Sequence, residues 1–397
     1  MIAIEQVWRL IDRKASRLPE EDVPLDLAVG RILAAPARAD VDQPPFDQSA
    51  MDGFALGALP GKTSFRVVVH IAAGHAVSRR LRPGEAARIL TGGMVPRGAV
   101  AVARQEDCAV CGDMVRVRTP CPPDANIRRR GAILRAGAEI LSDGRRFLPG
   151  AAGLLAACGV SHLRVVRRPK IEHLITGDEI LPADRPLTAG RLRDANGPLL
   201  RALLGAMGLR PRQKHLPDSA AALRRATQTS EADLVLISGG SGPGERDHAR
   251  AALEAAGFVI HCSSVNSRPG RPLIFASRGQ RVAFGLPGNP LAHFVGFHAF
   301  VRRALARMEG SVPPRFIRAT LRAVVRDPGD GRRSWFPARL TSGARGNEAR
   351  LLPWKHSGDL TPLVEANALL LDDGDARPPR AGDCVALLPT FDTMEAA

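Results

Sequence analysis

The chain has 397 residues, of which 45% are apolar, enough to bury the cores of about two to four modules. It carries 56 basic and 40 acidic residues, a net charge of +16, so its field favours anionic partners such as phosphorylated small molecules or oxyanions. The basic runs are not interleaved with aromatic residues, so the sequence does not favour nucleic acid as a partner. The longest apolar run, Ala151 to Val160, is too short for a bilayer span and no signal pattern is present, which predicts a cytoplasmic location.

The six cysteines are scattered rather than arranged in a dense framework, which predicts reduced thiols. Cys108 and Cys111 form a C-x-x-C with only Cys121 nearby, so no second pair completes a zinc site. The pattern favours a strand pair around a Cys-Gly-Asp turn.

The first part of the chain predicts a helical domain interrupted by a β-rich one. Residues 1–38 contain one apolar-periodic helix, with Ile4, Val7, Trp8 and Ile11 on one face, and a second short helix ending near Ala35. Pro and Gly then punctuate short apolar segments such as 65–69 and 115–117, which predicts a β-rich domain over residues 39–130. Residues 131–167 are rich in Ala and Leu and are expected to pack with the first helices as one domain.

From residue 168 the pattern alternates between strands and helices. Apolar runs at 171–175, 234–237 and 282–286 have the length of buried strands, and helix-like stretches at 198–207, 219–227, 248–256 and 291–307 separate or follow them. This alternation predicts a parallel, doubly wound sheet over residues 168–310. Residues 311–397 return to short strands at 319–325, 350–352 and 384–388, which predicts a terminal β module.

Ligands of an open parallel sheet bind outside the carboxyl ends of its strands. The sequences at these ends are Thr176–Glu179, Ser238–Asp247 and Pro287–Pro290. The second contains four glycines whose backbone N–H groups could approach a phosphate, although a turn with Asp247 as helix N-cap explains it equally. Asn289 followed by Pro290 is by itself a helix N-cap signal.

Charged residues flank these loops. Glu179, Asp218 and Asp247 are expected at one rim of the sheet, where Mg²⁺ would offset their repulsion from a phosphate; Asp218 also suits a helix start. Guanidinium groups bind tetrahedral oxyanions, and the candidates are Arg268, Arg271, Arg332 and Arg333, although most basic residues are simply solvated.

The order and spacing of these signals resemble the MoeA and gephyrin E-domain family of molybdopterin molybdenumtransferases over nearly the whole chain. The matching segments are Phe46–Ala55, Arg88–Ala99, Asn126–Gly137, Thr176–Glu179, Gly239–Asp247, Pro269–Pro272 and Leu286–Pro290.

The resemblance implies a helical segment, an inserted β module, a pterin-binding α/β domain with a mostly parallel sheet, and a C-terminal β barrel. It implies a homodimer whose active site lies between the α/β domain of one subunit and the β modules of the other. It also implies a reaction, in which adenylyl-molybdopterin and molybdate give molybdenum cofactor and AMP with Mg²⁺. The adenylyltransferase of the same pathway and recipient molybdoenzymes are further expected partners.

Carried over residue by residue, the resemblance gives three groups of site residues. The residues expected to serve activity are Asp52, Thr91, Glu179, Asp218, Asp247, Pro287 and Pro290. Those expected to hold the pterin phosphate or molybdate are Gly239, Gly240, Ser241, Gly242, Gly244, Asn289, Arg268, Arg271, Arg333 and Ser357. Glu179 and Asp247 are the expected Mg²⁺ ligands.

The sequence departs from the family pattern at several places. Ala132–Ile133 stands where an acidic residue is usual, and Ser241–Gly242 stands where an apolar residue and then Ser are usual. Leu291–Ala292 replaces a common Val-Ser, and Arg271 replaces a Lys. The lost hydroxyls leave open a second interpretation, a weakly active or non-catalytic molybdopterin carrier for a dedicated molybdoenzyme. A scaffold or nucleic-acid-binding role is a third.

Overall fold

The structure, a computed structural model, describes residues 1–57, 61–239, 248–323, 332–344, 346–372 and 379–390. The chain divides into two units, residues 1–21 with 166–397 and residues 22–165. The division into four domains stays a prediction beside these two units. Among the described residues, no helix has the length and apolar character needed to cross a membrane.

Residues 1–166 begin with helix α1 (Ile4–Lys14), which buries the predicted stripe of Ile4, Val7 and Ile11. The other elements are α2 (Ala152–Ala157) and strands β1 (Glu20–Pro24), β2 (Ala37–Arg38), β3 (Gln48–Ser49), β4 (Gly53–Gly57), β5 (Ser64–Ile71), β6 (Glu85–Ile89), β7 (Ala99–Arg104), β8 (Cys108–Cys111), β9 (Met114–Val117), β10 (Ile127–Arg128), β11 (Glu139–Leu141) and β12 (His162–Val166). A six-stranded sheet of order β7-β4-β6-β5-β9-β8 confirms the β-rich interpretation.

Two expectations for this part of the chain are wrong. The second helix ending near Ala35 is instead strand β1 and a 3-10 turn, Leu25–Leu27, because Pro19 and Pro24 disfavour a continuous helix there. Residues 131–166 contain only the short helix α2 between strands, not a helical segment. The hairpin around Cys-Gly-Asp is confirmed, since Cys111 pairs with Met114 across it.

The alternation predicted after residue 168 is confirmed. The strands are β13 (Ile171–Thr176), β14 (Ile180–Leu181), β15 (Leu192–Arg193), β16 (Arg212–Leu216), β17 (Leu234–Ser238), β18 (Val259–Ser264), β19 (Pro272–Arg278) and β20 (Arg281–Leu286). The helices are α3 (Asn196–Ala206), α4 (Ala220–Thr229), α5 (His248–Ala255), α6 (Pro290–Gly296) and α7 (Arg302–Glu309), with a π-helical turn at Phe297–Val301.

The central sheet has the order β16-β13-β17-β20-β19-β18. Its first four strands are parallel and its last two are antiparallel. Helices α4 and α5 cover one face, where Leu223 and Leu253 pack against Val235 and Ile237. Helices α3 and α6 cover the other face. Gly197 at the start of α3 lies against Ile175 there. The sheet is therefore doubly wound, and its carboxyl ends face the loops singled out from the sequence.

The remaining strands form the predicted barrel. They are β21 (Ile317–Leu321), β22 (Ser334–Gly343), β23 (Gly346–Leu351), β24 (Ala368–Asp372) and β25 (Cys384–Pro389), and they close in the order β21-β23-β22-β24-β25. The inward residues Leu321, Ala338, Leu370 and Leu387 alternate with outward ones and make one apolar core.

Candidate functional site

Three of the matching segments meet in the unit of residues 22–165. Strand β3 pairs with β10, which joins the segment containing Asp52 to the segment starting at Asn126. The backbone of Ser49 bonds to Gly92 and Gly93 at 2.9 Å each, which brings in the segment containing Thr91. Segments that are separated in sequence therefore build one polar corner, which we call the Asp52 corner (Ser49, Asp52, Thr91, Gly92 and Gly93).

The carboxyl group of Asp52 is held at this corner by Thr91. Its Oδ1 accepts hydrogen bonds from the Thr91 backbone N–H at 2.6 Å and from the Thr91 hydroxyl at 2.7 Å. These two bonds, the backbone one first, hold the pKa of the exposed Asp52 carboxyl below its usual range. The corner thus presents a charged carboxylate of fixed orientation.

A second group of predicted residues lies at the carboxyl end of the central sheet. Gly239 has φ of +90°, and a Cβ there would lie 2.7 Å from the carbonyl oxygen and the hydroxyl of Thr176, so only glycine suits this contact. The Asp178 Oδ1 accepts a bond from the Asp218 backbone N–H at 3.0 Å. The Thr176–Glu179 loop is thereby tied to both Gly239 and Asp218, and it exposes Glu179 at the same rim.

Asp218 does not cap the following helix. The N-cap of α4 is Ser219, whose hydroxyl accepts from the Ala222 backbone N–H at 3.4 Å. The prediction that a helix starts at Pro217-Asp218-Ser219 is thus confirmed, but Ser219 rather than Asp218 caps it.

A chain of polar side chains that ends at the buried His173 and Ser238 supports this rim. Gln213 donates through Nε2 to His173 Nδ1 at 3.0 Å, and its Oε1 accepts from Arg201 Nε at 2.8 Å, which fixes the orientation of the amide. His173 Nε2 therefore carries the proton and donates to the Ser238 hydroxyl at 2.6 Å. Ser238 ends β17, directly before the glycine loop.

A second buried imidazole, His293, supports the neighbouring loop. Its Nδ1 lies 3.3 Å from the carbonyl oxygen of Pro287, and its Nε2 is buried without a described partner. Burial lowers the pKa of His293 to about 4 and holds the pKa of His173 well below 6.5, so both rings are neutral at neutral pH.

A cleft of about 500 Å³ collects most of the predicted anion-binding residues. We call it the oxyanion cleft. Its described lining comprises Arg268, Pro269, Gly270, Arg271, Pro272, Pro287, Gly288, Asn289, Ala292, Arg332, Trp354, Lys355, His356 and Ser357. None of these residues is acidic and four carry a permanent positive charge, so the cleft is suited to a dianion.

The wall of the cleft that contains Arg268 is joined to the barrel by backbone hydrogen bonds. The Arg268 N–H donates to the Arg333 carbonyl oxygen at 2.9 Å, and the Trp335 N–H donates to the Arg268 carbonyl oxygen at 2.7 Å. The opposite wall is joined in the same way, since the Leu291 N–H donates to the Ser357 carbonyl oxygen at 3.0 Å. Both walls are therefore fixed before any ligand enters.

The predicted site residues thus fall into separate groups. Asp52 and Thr91 form the corner; Glu179, Asp218 and Gly239 lie at the rim; Pro287, Asn289, Arg268, Arg271 and Ser357 line the cleft. Pro290 is the first residue of α6, and the Asn289 side chain makes no capping bond. Gly240, Ser241, Gly242, Gly244 and Asp247 lie outside the described residues.

Arg333 is placed differently from the expectation. Its guanidinium donates to Glu5 of helix α1, and the neighbouring Arg332 lines the cleft in its place. Sequence reasoning missed Trp354, Lys355 and His356, although all three directly precede the expected Ser357. Their proximity along the chain was the signal that could have identified them.

The described residues contain no group of three or more His, Cys, Asp or Glu side chains that could hold a metal ion. Asp247, one of the two expected Mg²⁺ ligands, is outside that description. Glu179 supplies a hard oxygen donor at the rim, the kind of ligand that Mg²⁺ prefers.

Comparison with known proteins covers nearly the whole chain. Residues 2–159 match the MoeA N-terminal region (domain I and II), residues 172–307 the probable molybdopterin binding domain, and residues 318–390 the MoeA C-terminal region (domain IV). The crystal structure of the molybdopterin biosynthesis MoeA protein from Pyrococcus horikosii has the same fold, with a TM-score of 0.84 at 24% identity over 99% of this chain and 100% of that one.

Two similar proteins are both named molybdopterin molybdenumtransferase. The molybdopterin molybdenumtransferase of Staphylococcus aureus (strain Mu50 / ATCC 700699) is 30% identical over 97% of this chain and 94% of its own length. That of Nostoc sp. (strain PCC 7120 / SAG 25.82 / UTEX 2576) is 32% identical over 91% of this chain and 87% of its own. This chain therefore belongs to the molybdopterin molybdenumtransferase family.

Proposed function

We propose that this chain is the transferase that completes the molybdenum cofactor, converting adenylyl-molybdopterin and molybdate to molybdenum cofactor, AMP and water. Family membership supports the reaction class, and the oxyanion cleft is the observation that carries the proposal for this chain. A carrier that only binds the pterin has no need of a second, strongly cationic cleft built for a small dianion.

The cleft would bind molybdate. Arg268, Arg271 and Arg332 offer planar guanidinium groups that can donate paired hydrogen bonds to a tetrahedral oxyanion. Lys355 adds a point charge, and Ser357 adds a hydroxyl on the opposite wall. Ala292 lines the same cleft, so the hydroxyl lost from the family pattern is removed from a site that keeps several charged groups.

The rim of the sheet would bind the pterin phosphate and the adenylyl group. Ser238 and Gly239 begin the glycine loop, and the His173 network fixes the Ser238 hydroxyl beneath it. Glu179 with Asp247 would hold Mg²⁺, which when bound would offset the negative charge of the pyrophosphate. Asp218 is kept at the same rim by its bond to Asp178.

Asp52 and Thr91 would supply a charged carboxylate of fixed direction to the reaction. Since Thr91 donates both of its bonds to Oδ1, the carboxylate cannot rotate without losing them, and its orientation is set before substrate binds. We include the homodimer, the adenylyltransferase partner and the recipient molybdoenzymes in the proposal on the resemblance alone. The cytoplasmic location, which the sequence pattern predicts, stays a prediction.

The test is molybdate-dependent AMP release. Purified protein is loaded with adenylyl-molybdopterin in the presence of Mg²⁺, and AMP is quantified with and without molybdate in the wild type and in Glu179→Gln and Asp247→Asn. Asp143→Asn, an exposed carboxylate of the other unit, is the matched control. We expect release that requires molybdate, survives in the control and is lost in both rim variants.

The carrier interpretation predicts a different result. Tight binding of the pterin with no AMP release at any molybdate concentration would contradict the transferase proposal and would favour the carrier.

A further inference from the structure

Trp354 lies directly beside a cation of the oxyanion cleft. The Cζ of Arg268 is 5.5 Å from the centroid of the Trp354 ring, and both side chains line the cleft. We propose that Trp354 is a positioning residue that holds the Arg268 guanidinium toward the bound oxyanion. This inference rests on the proposed function insofar as the oxyanion is molybdate.

The backbone of Arg268 is fixed by the barrel, and its side chain lies against the Trp354 ring. The two backbone bonds to the barrel hold the residue itself in place. An arginine side chain nevertheless has several rotatable bonds, and ordering them on ligand binding costs affinity. A partner that orders the guanidinium beforehand removes part of that cost.

An aromatic support preserves the charge of the cleft. Arg271, Arg332 and Lys355 line the same cleft as Arg268, so four cationic side chains share it. An aromatic face attracts the cation through its quadrupole and occupies no N–H donor.

Trp354 is itself well anchored. It is half-buried and packs against the apolar core of the barrel, alongside Leu340 and Leu351. Because the ring is fixed to the barrel, it can hold the Arg268 side chain in a fixed position relative to the barrel. Arg268 itself belongs to the loop before β19. The cleft side of the ring is an extended π surface that leucine cannot supply and phenylalanine supplies only in part.

The experiment replaces the Trp354 ring with a smaller apolar side chain, which removes all or part of the aromatic face. Molybdate and tungstate are titrated by calorimetry into the full-length protein without pterin, for the wild type, Trp354→Leu and Trp354→Phe; kcat and the KM for molybdate are then measured in the AMP-release assay. We expect Trp354→Leu to weaken oxyanion binding and raise KM about fivefold, corresponding to about 1 kcal/mol, with kcat unchanged. Trp354→Phe should lie between Trp354→Leu and the wild type.

The chain offers a matched control in Trp8, whose ring lies 5.5 Å from the Arg303 Cζ outside the cleft. Trp8→Leu removes an equivalent stack and should change the melting temperature without changing oxyanion affinity. In an Arg268→Gln background, Trp354→Leu should have almost no further effect on affinity, because the tryptophan acts through that arginine.

Several outcomes would overturn the inference. They are unchanged oxyanion affinity in Trp354→Leu, an equal loss in Trp8→Leu, or full additivity with Arg268→Gln. A wild type that binds neither molybdate nor tungstate would also overturn it. Failure of the proposed function is distinguishable, because the protein would then bind the oxyanion with the expected Trp354 dependence but release no AMP.

Discussion

The Asp52 corner and the oxyanion cleft are built by opposite means. The corner is anionic and small, and one residue, Thr91, donates both bonds that fix its carboxylate. The cleft is cationic and wide, and its walls come from four chain segments that backbone hydrogen bonds join in two pairs. The corner thus depends on contacts between short motifs of one unit, whereas the cleft depends on the packing of the barrel against the α/β elements.

This difference governs how each region responds to change. The Asp52 and Thr91 side chains of the corner are exposed, so a substitution of Asp52 can remove charge without opening a core. One loop of the cleft rests on the buried neutral imidazole of His293, which contacts the Pro287 carbonyl oxygen, so it depends on the protonation state of that ring.

The largest effect is expected at Gly53, which follows Asp52 and begins β4. A Cβ at this position would lie 1.9 Å from the Ala103 carbonyl oxygen, so Gly53→Ala forces β4 away from β7. We expect a loss of about 3 kcal/mol in the free energy of unfolding together with loss of activity. Thermal unfolding measures it, and Gly150→Ala, which would meet no atom within 4 Å, is the control. Equal unfolding temperatures in the two variants would contradict the corner geometry.

As the pH falls, the stability that His293 contributes near the cleft should be lost before the stability that Asp52 contributes at the corner. The folded pKa of His293 is about 4, below its usual 6.5, so the neutral ring contributes stability that is present above pH 6.5 and is lost as pH falls toward 4. The loss is on the order of 3 kcal/mol. Asp52, whose pKa is lowered, loses its contribution only in more acidic solution.

Urea unfolding between pH 7 and 4 checks this order, with His293→Asn as the comparison. This variant retains a donor for the Pro287 carbonyl oxygen but cannot titrate in this range, so its pH slope should be shallower than that of the wild type. An identical slope would show that His293 is not responsible.

The third prediction separates charge from folding at the corner. Asp52→Asn keeps the shape of the side chain but removes its negative charge, so we expect AMP release to slow by about 100-fold. The unfolding temperature should equal that of the Asp143→Asn control, because the Asp52 side chain is exposed. A variant as active as the wild type would remove Asp52 from the reaction.

The smallest effect is expected at Arg271, where the family usually has Lys. Arg271→Lys keeps the charge but loses the planar fork, so the KM for molybdate should rise about threefold with kcat unchanged. Exposed Arg210→Lys is the control. An unchanged KM would show that Arg271 acts only as a point charge.

Much of this architecture could be predicted from the sequence. Strands β17 and β20 are mostly apolar, β13 carries Ile171, Leu174 and Ile175, and the loops that follow the three strands contain distinctive glycines or prolines. The short helix expected to end near Ala35 does not form, because Pro24 precedes the apolar stretch and Gly30, with a φ of +80°, interrupts it.

The cleft could be predicted only in part, because proximity along the chain does not specify where a side chain points. Arg332 and Arg333 are neighbours, yet one lines the cleft and the other donates to Glu5. Likewise, only the folded barrel places Trp354 beside Arg268, and no pattern in the sequence predicts that contact.

The most direct test of the central claim is a stoichiometry. Protein loaded with adenylyl-molybdopterin is given molybdate, and the molybdenum that remains with the pterin after gel filtration is counted against the AMP released. The account predicts that the two amounts are equal and that both are lost in Glu179→Gln. AMP release without molybdenum bound to the pterin would contradict it, since the chain would then hydrolyse the adenylate without inserting the metal.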